Sequence, residues 1–404
     1  MPLSSSRPRV LVVGEGVAPT GYARVIRSVF GPLAGRLDVH QLATRWDGGA
    51  HDWPWTLHAA PPDDPYGLRM LPELLRQVRP ALVFLLYDLT YLAPYMEALR
   101  AAGAPPVVLY VPVESGPVTP ELLERLEGAA RVAVYTDYAR AQVMEAAARV
   151  RRTRPDFAFP DPLVIPHGVD TEGFRPLAPD PSARRARARA ELGLGAEMRD
   201  AFMVLNANRN QPRKLIDVTL DGFARFARGK PANVKLYLHM GVEDRGWNVI
   251  LLARRHGIDD RLVLTTGDRW HPDLPDQALN RVYNACDVGL TTTTGESWGL
   301  VSFEHAATGA AQVVPRHTAL ADLWAGAAEF VDPVLTLTNP GSLSHAHVVS
   351  PDGVAAALER LYTDPAHRER MAQAAFANAT RPAYRWDAIA ERWMALVGEV
   401  LGGQ

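Results

Sequence analysis

Glu296 and Glu304 lie on either side of a helix start that the sequence predicts directly after a strand. Apolar residues recur at helical spacing from Leu300 to Ala307, and residues 297–300 form the turn that leads into this helix. The backbone N–H groups of such a turn have no intrahelical partners, and the helix dipole gives them a positive potential that attracts anions. A carboxylate on each side of an anion site suits a ligand in which hydroxyl groups flank a diphosphate, and a nucleotide sugar is such a ligand.

The spacing of the two glutamates is equally open to a structural interpretation, in which Glu296 caps the helix and Glu304 lies on a solvated face. A basic pair, Arg209 and Lys214, follows the strand predicted at residues 202–206 and favours the functional interpretation. Arginine offers a planar fork of donors and lysine a compact charge, so together they can stabilise a leaving diphosphate without a metal. The structural alternative for this pair is a solvated basic turn.

Length and composition limit the class of protein. The 404 residues suggest two or three domains, and 47% hydrophobic with 22% charged residues is normal for a globular protein with substantial cores. A net charge of -2 gives no general attraction to nucleic acid. The single cysteine, Cys286, excludes a disulfide framework and indicates a reducing cytoplasm. The polar segment Met1–Pro8 predicts no signal peptide, and the longest apolar run, Ala81–Tyr87, is too short to span a bilayer.

Strands and helices alternate in two separate runs, which predicts two parallel sheets covered on both faces. A proline- and arginine-rich segment at residues 176–189, predicted to be a linker and an exposed helix, separates the runs. The first run opens with a strand at residues 9–14, a glycine loop and a helix, as doubly wound domains do, but the loop lacks the third glycine of a dinucleotide fingerprint. The second run begins at Phe202 and ends in helices over residues 365–400.

Several motifs, in order from residue 164 to residue 401, resemble the retaining GT-B glycosyltransferases of the large family that includes sucrose synthase and the phosphatidylinositol mannosyltransferases. They are the hinge-like segment 164–176, the pair Arg209 and Lys214, the segment 283–288, the pair Glu296 and Glu304, and the terminal helix from Trp386. The resemblance implies a GT-B fold, an α/β architecture in which two Rossmann-like doubly wound domains face an interdomain cleft. It assigns residues 1–170 to an acceptor-side domain, residues 171–384 to a nucleotide-sugar-binding domain, and residues 385–404 to a helix that crosses back to the first domain.

The resemblance also implies roles for individual residues. Arg209, Lys214 and Glu296 would be catalytic, with Glu296 also holding the hydroxyl groups of the donor sugar, while Glu304 would hold the ribose. The remaining donor-binding residues are expected in three loops: Thr20 and Gly21, then Gly267 and Asp268 near the nucleobase, then Ser297, Trp298, Gly299 and Leu300 near the sugar and phosphates.

The first domain departs from the family pattern at Glu114. Many family members place a histidine after the strand equivalent to residues 107–111, near the reacting centre, but this chain has no histidine there. Glu114 is a candidate to accept a hydrogen bond from the acceptor or the donor sugar, and a structural role in its loop is the alternative. A further segment, Leu335–His347, has two histidines at metal-like spacing but no clustered ligands, so it is predicted to be a mobile loop.

The implied activity is transfer of a sugar, a hexose in the first instance, from a UDP-sugar or GDP-sugar to an acceptor hydroxyl with retained anomeric configuration. Neither a cofactor nor a metal ion is expected, because the cationic pair would neutralise the leaving group and no two aspartates are separated by one residue. The alternatives are another GT-B chemistry (a phosphorylase or an epimerase), transfer to DNA or a membrane lipid, and a non-catalytic nucleotide-sugar-binding protein.

The acceptor and the surroundings of the protein are less constrained by the sequence. The acceptor is left open between a saccharide, a lipid, a small molecule and a nucleic acid, and no obligate protein partner is inferred. A cytoplasmic location is expected, with peripheral contact to the inner face of a membrane as a further option, because arginines cluster at residues 149–154 and 184–189.

Overall fold

We describe the protein from a computed structural model, which covers residues 7–403; the predicted absence of a signal peptide falls largely on residues 1–6, outside the described residues. The chain divides into two compact units. Unit 1 comprises the chain up to Gly168, Ser342–Ser344 and the chain from Trp386 onward; unit 2 comprises Val169–Gly341 and His345–Arg385.

Unit 1 contains a seven-stranded parallel sheet in the order β3-β2-β1-β4-β5-β6-β7. Strand order reverses at β1, so helices cover both faces and the sheet is doubly wound. The strands are β1 (Arg9–Glu15), β2 (Asp38–Thr44), β3 (Thr56–Ala59), β4 (Leu82–Leu86), β5 (Val107–Val111), β6 (Arg131–Val134) and β7 (Leu163–Val164). The helices before residue 168 are α1 (Gly21–Phe30), α2 (Leu71–Val78), α3 (Leu89–Ala101), α4 (Pro120–Glu124) and α5 (Asp137–Thr153).

Unit 2 contains a six-stranded parallel sheet in the order β10-β9-β8-β11-β12-β13. Its strands are β8 (Phe202–Asn206), β9 (Val234–Leu238), β10 (Leu262–Leu264), β11 (Val288–Leu290), β12 (Ala311–Pro315) and β13 (Glu329–Val331). Its helices are α6 (Pro181–Glu191), α7 (Ile216–Ala227), α8 (Val249–His256), α9 (Asp276–Ala285), α10 (Leu300–Ala307), α11 (Thr318–Leu323), α12 (Pro351–Thr363) and α13 (Pro365–Ala379). The predicted pair of doubly wound α/β sheets is therefore confirmed.

The last helix, α14 (Trp386–Gly402), belongs to unit 1, as the resemblance predicts. Trp393 on its buried face lies against Phe84 and Tyr110, with ring centroids 5.0 and 4.7 Å apart. The start of α14 passes so close to Gly168 that a Cβ atom there would lie 2.7 Å from the indole of Trp386. Glycine at position 168 of the hinge-like segment is thus explained by packing, because any larger residue would displace the helix.

The predicted mobile loop at Leu335–His347 is wrong. This segment forms most of an antiparallel hairpin of β14 (Pro333–Thr338) and β15 (His345–Val349). Aliphatic residues alternate with threonine along β14, which favours a strand, and Gly341 has a positive φ of 88° in the connection. Both faces of β14 are exposed, so its alternation marks no buried face.

Cys286 lies directly after α9 in the interior of unit 2 and is fully buried. Burial raises the pKa of its thiol well above the usual value. This cysteine is therefore a core side chain, consistent with its apolar sequence context.

Candidate functional site

The turn into α10 is fixed by a buried tryptophan and a left-handed glycine. Trp298 stacks on Phe303 with ring centroids 4.7 Å apart and meets Tyr384 edge-on at 5.1 Å. Gly299 occupies the N-cap position with φ of 89°, a conformation that disfavours other residues. Leu300 then begins the helix, and Ser297 is buried within the turn. The first N–H groups of α10 are consequently held in place, with Glu296 just before them.

Lys214 and Glu296 form a direct ion pair in unit 2. The lysine is 6% exposed, and the guanidinium of Arg213 lies 3.9 Å from the same carboxylate. Burial alone would raise the pKa of Glu296, but the charges of Lys214 and Arg213 outweigh it and hold that pKa below the usual range. Two residues that the sequence assigned to one site are therefore brought together as a charged pair, and the solvated basic turn is wrong for Lys214.

The backbone around Lys214 is held by the loop after β11. Residues Pro212–Lys214 form a 3₁₀ turn, and Leu215 beyond it has a positive φ of 44°. The Thr292 hydroxyl hydrogen-bonds the carbonyl oxygens of Lys214 and Leu215, both at 2.9 Å. A strained conformation such as that of Leu215 persists only where surrounding contacts hold it in place. This turn is therefore rigidly held next to the loop that carries Glu296.

Arg209 is held by a different carboxylate, that of Asp244, which the sequence analysis did not identify as a site residue. Its guanidinium donates two hydrogen bonds to Asp244, from Nε at 3.1 Å and from Nη2 at 3.0 Å. The Asp244 side chain is fully buried, and its backbone has a positive φ of 41°. Arg209 and Lys214 thus have separate acidic partners, and neither is a freely solvated cation. The only signal in the sequence was an acidic residue a few positions beyond the end of a strand.

Gly267 and Asp268 lie in the loop after β10, which packs on the segment that contains Asp244. The N–H of Val242 donates to the Asp268 carbonyl at 2.8 Å, and the N–H of Asp244 donates to the Arg269 carbonyl at 2.7 Å. The Thr266 hydroxyl donates to the Asp268 carboxylate at 2.9 Å. Contacts through Asp244 therefore connect this loop with Arg209, while space around Gly267 stays open.

Two neutral histidines lie at this loop: His239 directly follows β9, and His271 belongs to the loop itself. Burial lowers the pKa of His239 to about 3, and His271 adds to that effect. Burial lowers the pKa of His271 to about 4, and the charge of Arg209 adds to it. Nδ1 of His239 lies 3.0 Å from the Thr265 hydroxyl, so this imidazole helps to hold the loop.

Glu304 lies inside α10 and is 4% exposed, so a solvated face is wrong for it. The Tyr283 hydroxyl on α9 donates a hydrogen bond to its carboxylate at 3.1 Å. A buried carboxylate is costly without such partners, and a carboxylate can accept several hydrogen bonds at once.

In unit 1, Thr20 is the N-cap of α1, and Gly21 is the first residue of that helix. The Thr20 hydroxyl accepts from the N–H of Ala23 at 3.3 Å and donates to the Glu15 carboxylate. Glu15 in turn pairs with Arg45 at 2.8 Å. The Thr20 hydroxyl thus already accepts one hydrogen bond and donates another. Gly21, which has no side chain, can contribute only backbone groups. Glu114 is half-buried in the loop after β5, at the same carboxyl edge of the sheet.

Within residues 7–403, no group of three or more His, Cys, Asp or Glu side chains is arranged to hold a metal ion. Over the same residues, no helix combines the length and apolar character needed to cross a bilayer.

Comparison with known proteins adds a family match and curated relatives. A family model described as glycosyl transferase-like matches residues 245–395. A D-inositol 3-phosphate glycosyltransferase of Thermomonospora curvata is 32% identical over 248 residues, which is 58% of this chain and 51% of that protein. Another of that name, from Segniliparus rotundus, is 30% identical over 289 residues, covering 70% of this chain and 57% of the relative. The chain spans about half the length of these curated relatives.

Two solved structures have folds similar to that of this chain over nearly its whole length. Anabaena HepE in complex with UDP and glucose has a TM-score of 0.71 at 17% identity, covering 97% of this chain and 100% of the other. Sucrose-phosphate synthase from Thermosynechococcus elongatus has a TM-score of 0.74 at 17% identity, with 99% and 100% coverage. At such low identity these similarities show the fold, which is GT-B as the sequence motifs implied.

Proposed function

We propose, on the premise of a GT-B fold with a glycosyl transferase-like second unit, that this chain is a glycosyltransferase. It transfers a sugar from a nucleoside-diphosphate sugar to an acceptor hydroxyl, with retained anomeric configuration and without a metal ion. The observation that carries the proposal is the buried ion pair of Lys214 and Glu296 directly before the N-terminus of α10.

That pair suits a donor whose phosphates and sugar lie side by side. Lys214 is poised to exchange its contact with Glu296 for the donor diphosphate, and Glu296 is then available to accept hydrogen bonds from the sugar hydroxyl groups. The N–H groups at the start of α10 add donors for the same anion. We assign the ribose hydroxyl groups to Glu304, which lies on α10 and accepts a hydrogen bond from Tyr283.

The chemical step breaks the bond between the anomeric carbon and the phosphate oxygen and forms a bond from that carbon to the acceptor oxygen. Negative charge grows on the departing diphosphate, and Arg209 and Lys214 stabilise it. Glu296 and Glu304 are assigned here to the hydroxyl groups of the donor sugar and the ribose, so neither serves as a covalent nucleophile in this proposal. We therefore favour a front-face reaction, in which the departing phosphate oxygen takes the proton of the acceptor hydroxyl.

UDP-sugars are the first donors to test, because the solved complexes of HepE contain UDP. Each UDP- and GDP-sugar is screened for a rise in melting temperature, since a ligand of the native state stabilises it in proportion to concentration and affinity. Donors that bind are then incubated with acceptors, and nucleotide release and the anomeric configuration of the product are measured. Transfer with an α-linked product from an α-linked donor is the expected result.

Activity should be unchanged after removal of divalent metals with EDTA, because the proposed charge stabilisation comes from side chains. Loss of transfer on chelation and recovery with Mg²⁺ or Mn²⁺ would contradict metal independence. Cleavage that depends on inorganic phosphate would indicate a phosphorylase, and donor binding without any release would indicate a binding protein.

A further inference from the structure

We propose that the acceptor is an uncharged, hydroxyl-rich molecule, a saccharide or polyol, which binds at the carboxyl edge of the unit 1 sheet against Tyr22, Asp88, Glu114 and Tyr135. This inference rests on the proposed function, because it names the class of acceptor for that reaction. All four residues lie in unit 1.

The position of the cluster follows from the sheet. Strands β4, β5 and β6 are adjacent and parallel, so the loops after them meet at one edge. Asp88 follows β4, Glu114 follows β5, and Tyr135 follows β6 directly. Tyr22 in the first turn of α1 donates a hydrogen bond from its hydroxyl to Asp88. Ligands of doubly wound sheets bind at this edge.

The buried Tyr135 hydroxyl also points to a ligand. The residue is 2% exposed, and its oxygen has no hydrogen-bond partner within the described chain. Burial raises the pKa of Tyr135 well above its usual value, and nearby Tyr110, Asp88 and Glu114 raise it further. The phenol therefore stays protonated beside two carboxylates. A buried hydroxyl without a partner is costly, and a hydroxyl group of a ligand is a suitable partner for it.

Aromatic rings next to Asp88 supply flat apolar surface. Tyr66 and Tyr91 stack with ring centroids 4.9 Å apart, and Tyr22 meets Tyr87 edge-on at 6.4 Å. Tyr91 is 39% exposed, so part of its ring is accessible. Tyrosine rings pack on the C–H face of a sugar while carboxylates and phenols bond its hydroxyl groups, as in sites that combine apolar walls with a few polar anchors.

The charge of the cluster opposes a phosphorylated acceptor. The charged groups that act on the Tyr135 hydroxyl are Asp88 and Glu114, both acidic. Arg45, a cation at this edge, is already paired with Glu15. A phosphate group placed beside the two carboxylates would be repelled without a dedicated cation. The curated relatives are named for D-inositol 3-phosphate, so this edge predicts a different acceptor class for the present chain.

The test compares acceptors that differ only in a phosphate. The pairs are glucose with glucose 6-phosphate, fructose with fructose 6-phosphate, and myo-inositol with its 3-phosphate, each supplied with a donor that raises the melting temperature. Nucleotide release gives kcat/KM for each compound. We expect transfer to at least one uncharged compound, with kcat/KM at least about tenfold above that of its phosphorylated partner, as a penalty of about 1.4 kcal/mol would give.

Two variants examine the cluster directly. Tyr135→Phe should raise the acceptor KM roughly two- to tenfold and leave the donor KM unchanged, because one hydrogen bond is lost and the ring is kept. The double variant Asp88→Asn with Glu114→Gln should reduce the preference for the uncharged acceptor to within about threefold. Glu145→Gln is the control, since it removes a carboxylate that pairs with Arg149 on the surface of α5 and should change neither quantity.

The outcomes separate this inference from the proposed function. No donor binding, or donor binding without release from any acceptor pair and without hydrolysis, overturns the proposed function. Donor binding and hydrolysis without transfer to any uncharged compound, or equal or better transfer to the phosphorylated partners, overturns the inference and leaves the donor chemistry standing. An unchanged acceptor KM in a folded Tyr135→Phe protein also overturns the assignment of that hydroxyl.

Discussion

At the scale of single residues, each proposed cation is held by its own carboxylate. Lys214 contacts Glu296, and Arg209 is bound by Asp244 in two-point geometry. Such pairing fixes the direction of each charged group before a diphosphate arrives. Two mutational predictions follow from this arrangement, one for each cation.

Lys214→Ala should lower kcat by roughly two to three orders of magnitude, because it removes a donor aimed at developing charge and leaves Glu296 buried without that partner. The measurement is steady-state nucleotide release with saturating donor. Lys235→Ala is a matched control, since its ammonium donates to the Asp260 carbonyl on the exposed surface, and it should retain normal activity. Near-normal turnover by Lys214→Ala would rule out its assigned role.

Asp244→Asn should reduce kcat about tenfold with little change in melting temperature, because asparagine accepts the positive φ but presents only one oxygen and no charge to Arg209. A double-mutant cycle identifies Asp244 as a positioning residue. In an Arg209→Ala background the Asp244→Asn change should have almost no further effect on kcat, since the group that it orients is gone. Additive effects of the two changes would contradict this.

The sequence identified Arg209 and Lys214 because each belongs to a motif with recognisable spacing. Asp244 was missed since its contact with Arg209 joins two loops that are distant in the chain. No local periodicity records such a contact. The buried state of Glu304 was likewise open, because a glutamate in a helix carries no sequence mark of whether its face is covered.

At the scale of secondary structure, α10 shows how much depends on one backbone conformation. Its start was predicted correctly from apolar spacing, and Gly299 at its N-cap has φ of 89°. A Cβ atom at Gly299 would lie 3.5 Å from Glu296 Cγ, which is ordinary contact, so space is not the constraint.

Gly299→Ala should therefore destabilise the protein by about 1–2 kcal/mol through backbone strain, and should weaken donor binding through displacement of the turn. Chemical denaturation and the donor-induced shift in melting temperature measure the two effects. Gly398→Ala on the exposed side of α14 is the control, with no atom near its Cβ position. It should stabilise by up to about 1 kcal/mol, because alanine is the better helix former. Equal behaviour of the two variants would refute the role of the left-handed glycine.

Most elements could be located from sequence because buried parallel strands are short apolar runs between glycine or polar residues. The β14–β15 hairpin could not, since an exposed ribbon has no hydrophobic face and its threonines resemble loop composition. Pattern-based assignment depends on burial, and it fails where burial does not dictate the structure.

At the scale of the whole molecule, the two-sheet architecture was predictable from the repeated alternation of strands and helices. The strand orders were not, because alternation does not state on which side of β1 or β8 a later strand pairs. The GT-B class came from ordered motifs, whose joint occurrence constrains the fold more than any single motif does.

Stability should fall as pH decreases from about 6.5 towards 4. Burial lowers the folded-state pKa of a set of histidines to values of about 3 or 4: His167, His239, His271, His305 and His317. In the unfolded chain a histidine has a pKa of about 6.5, so between these values the unfolded state binds more protons and acid favours unfolding. The cost per histidine is on the order of 2 kcal/mol by pH 5.

Urea denaturation at pH 7.5, 6.5, 5.5 and 5.0 measures this dependence, and the free energy of unfolding should be constant at the upper end and then decline. His167→Gln should show a shallower decline than the natural protein, because it removes one of the titrating groups. A free energy that rises, or stays level, down to pH 5 would show that these imidazoles are hydrated in the folded state.

Cys286 is the single cysteine of the chain and is fully enclosed in unit 2. A thiol-labelling reagent cannot reach it until that unit opens, so the rate of Cys286 labelling reports how often unit 2 opens. A nucleotide sugar that binds the native unit should lower this rate, which detects donor binding before any acceptor is known.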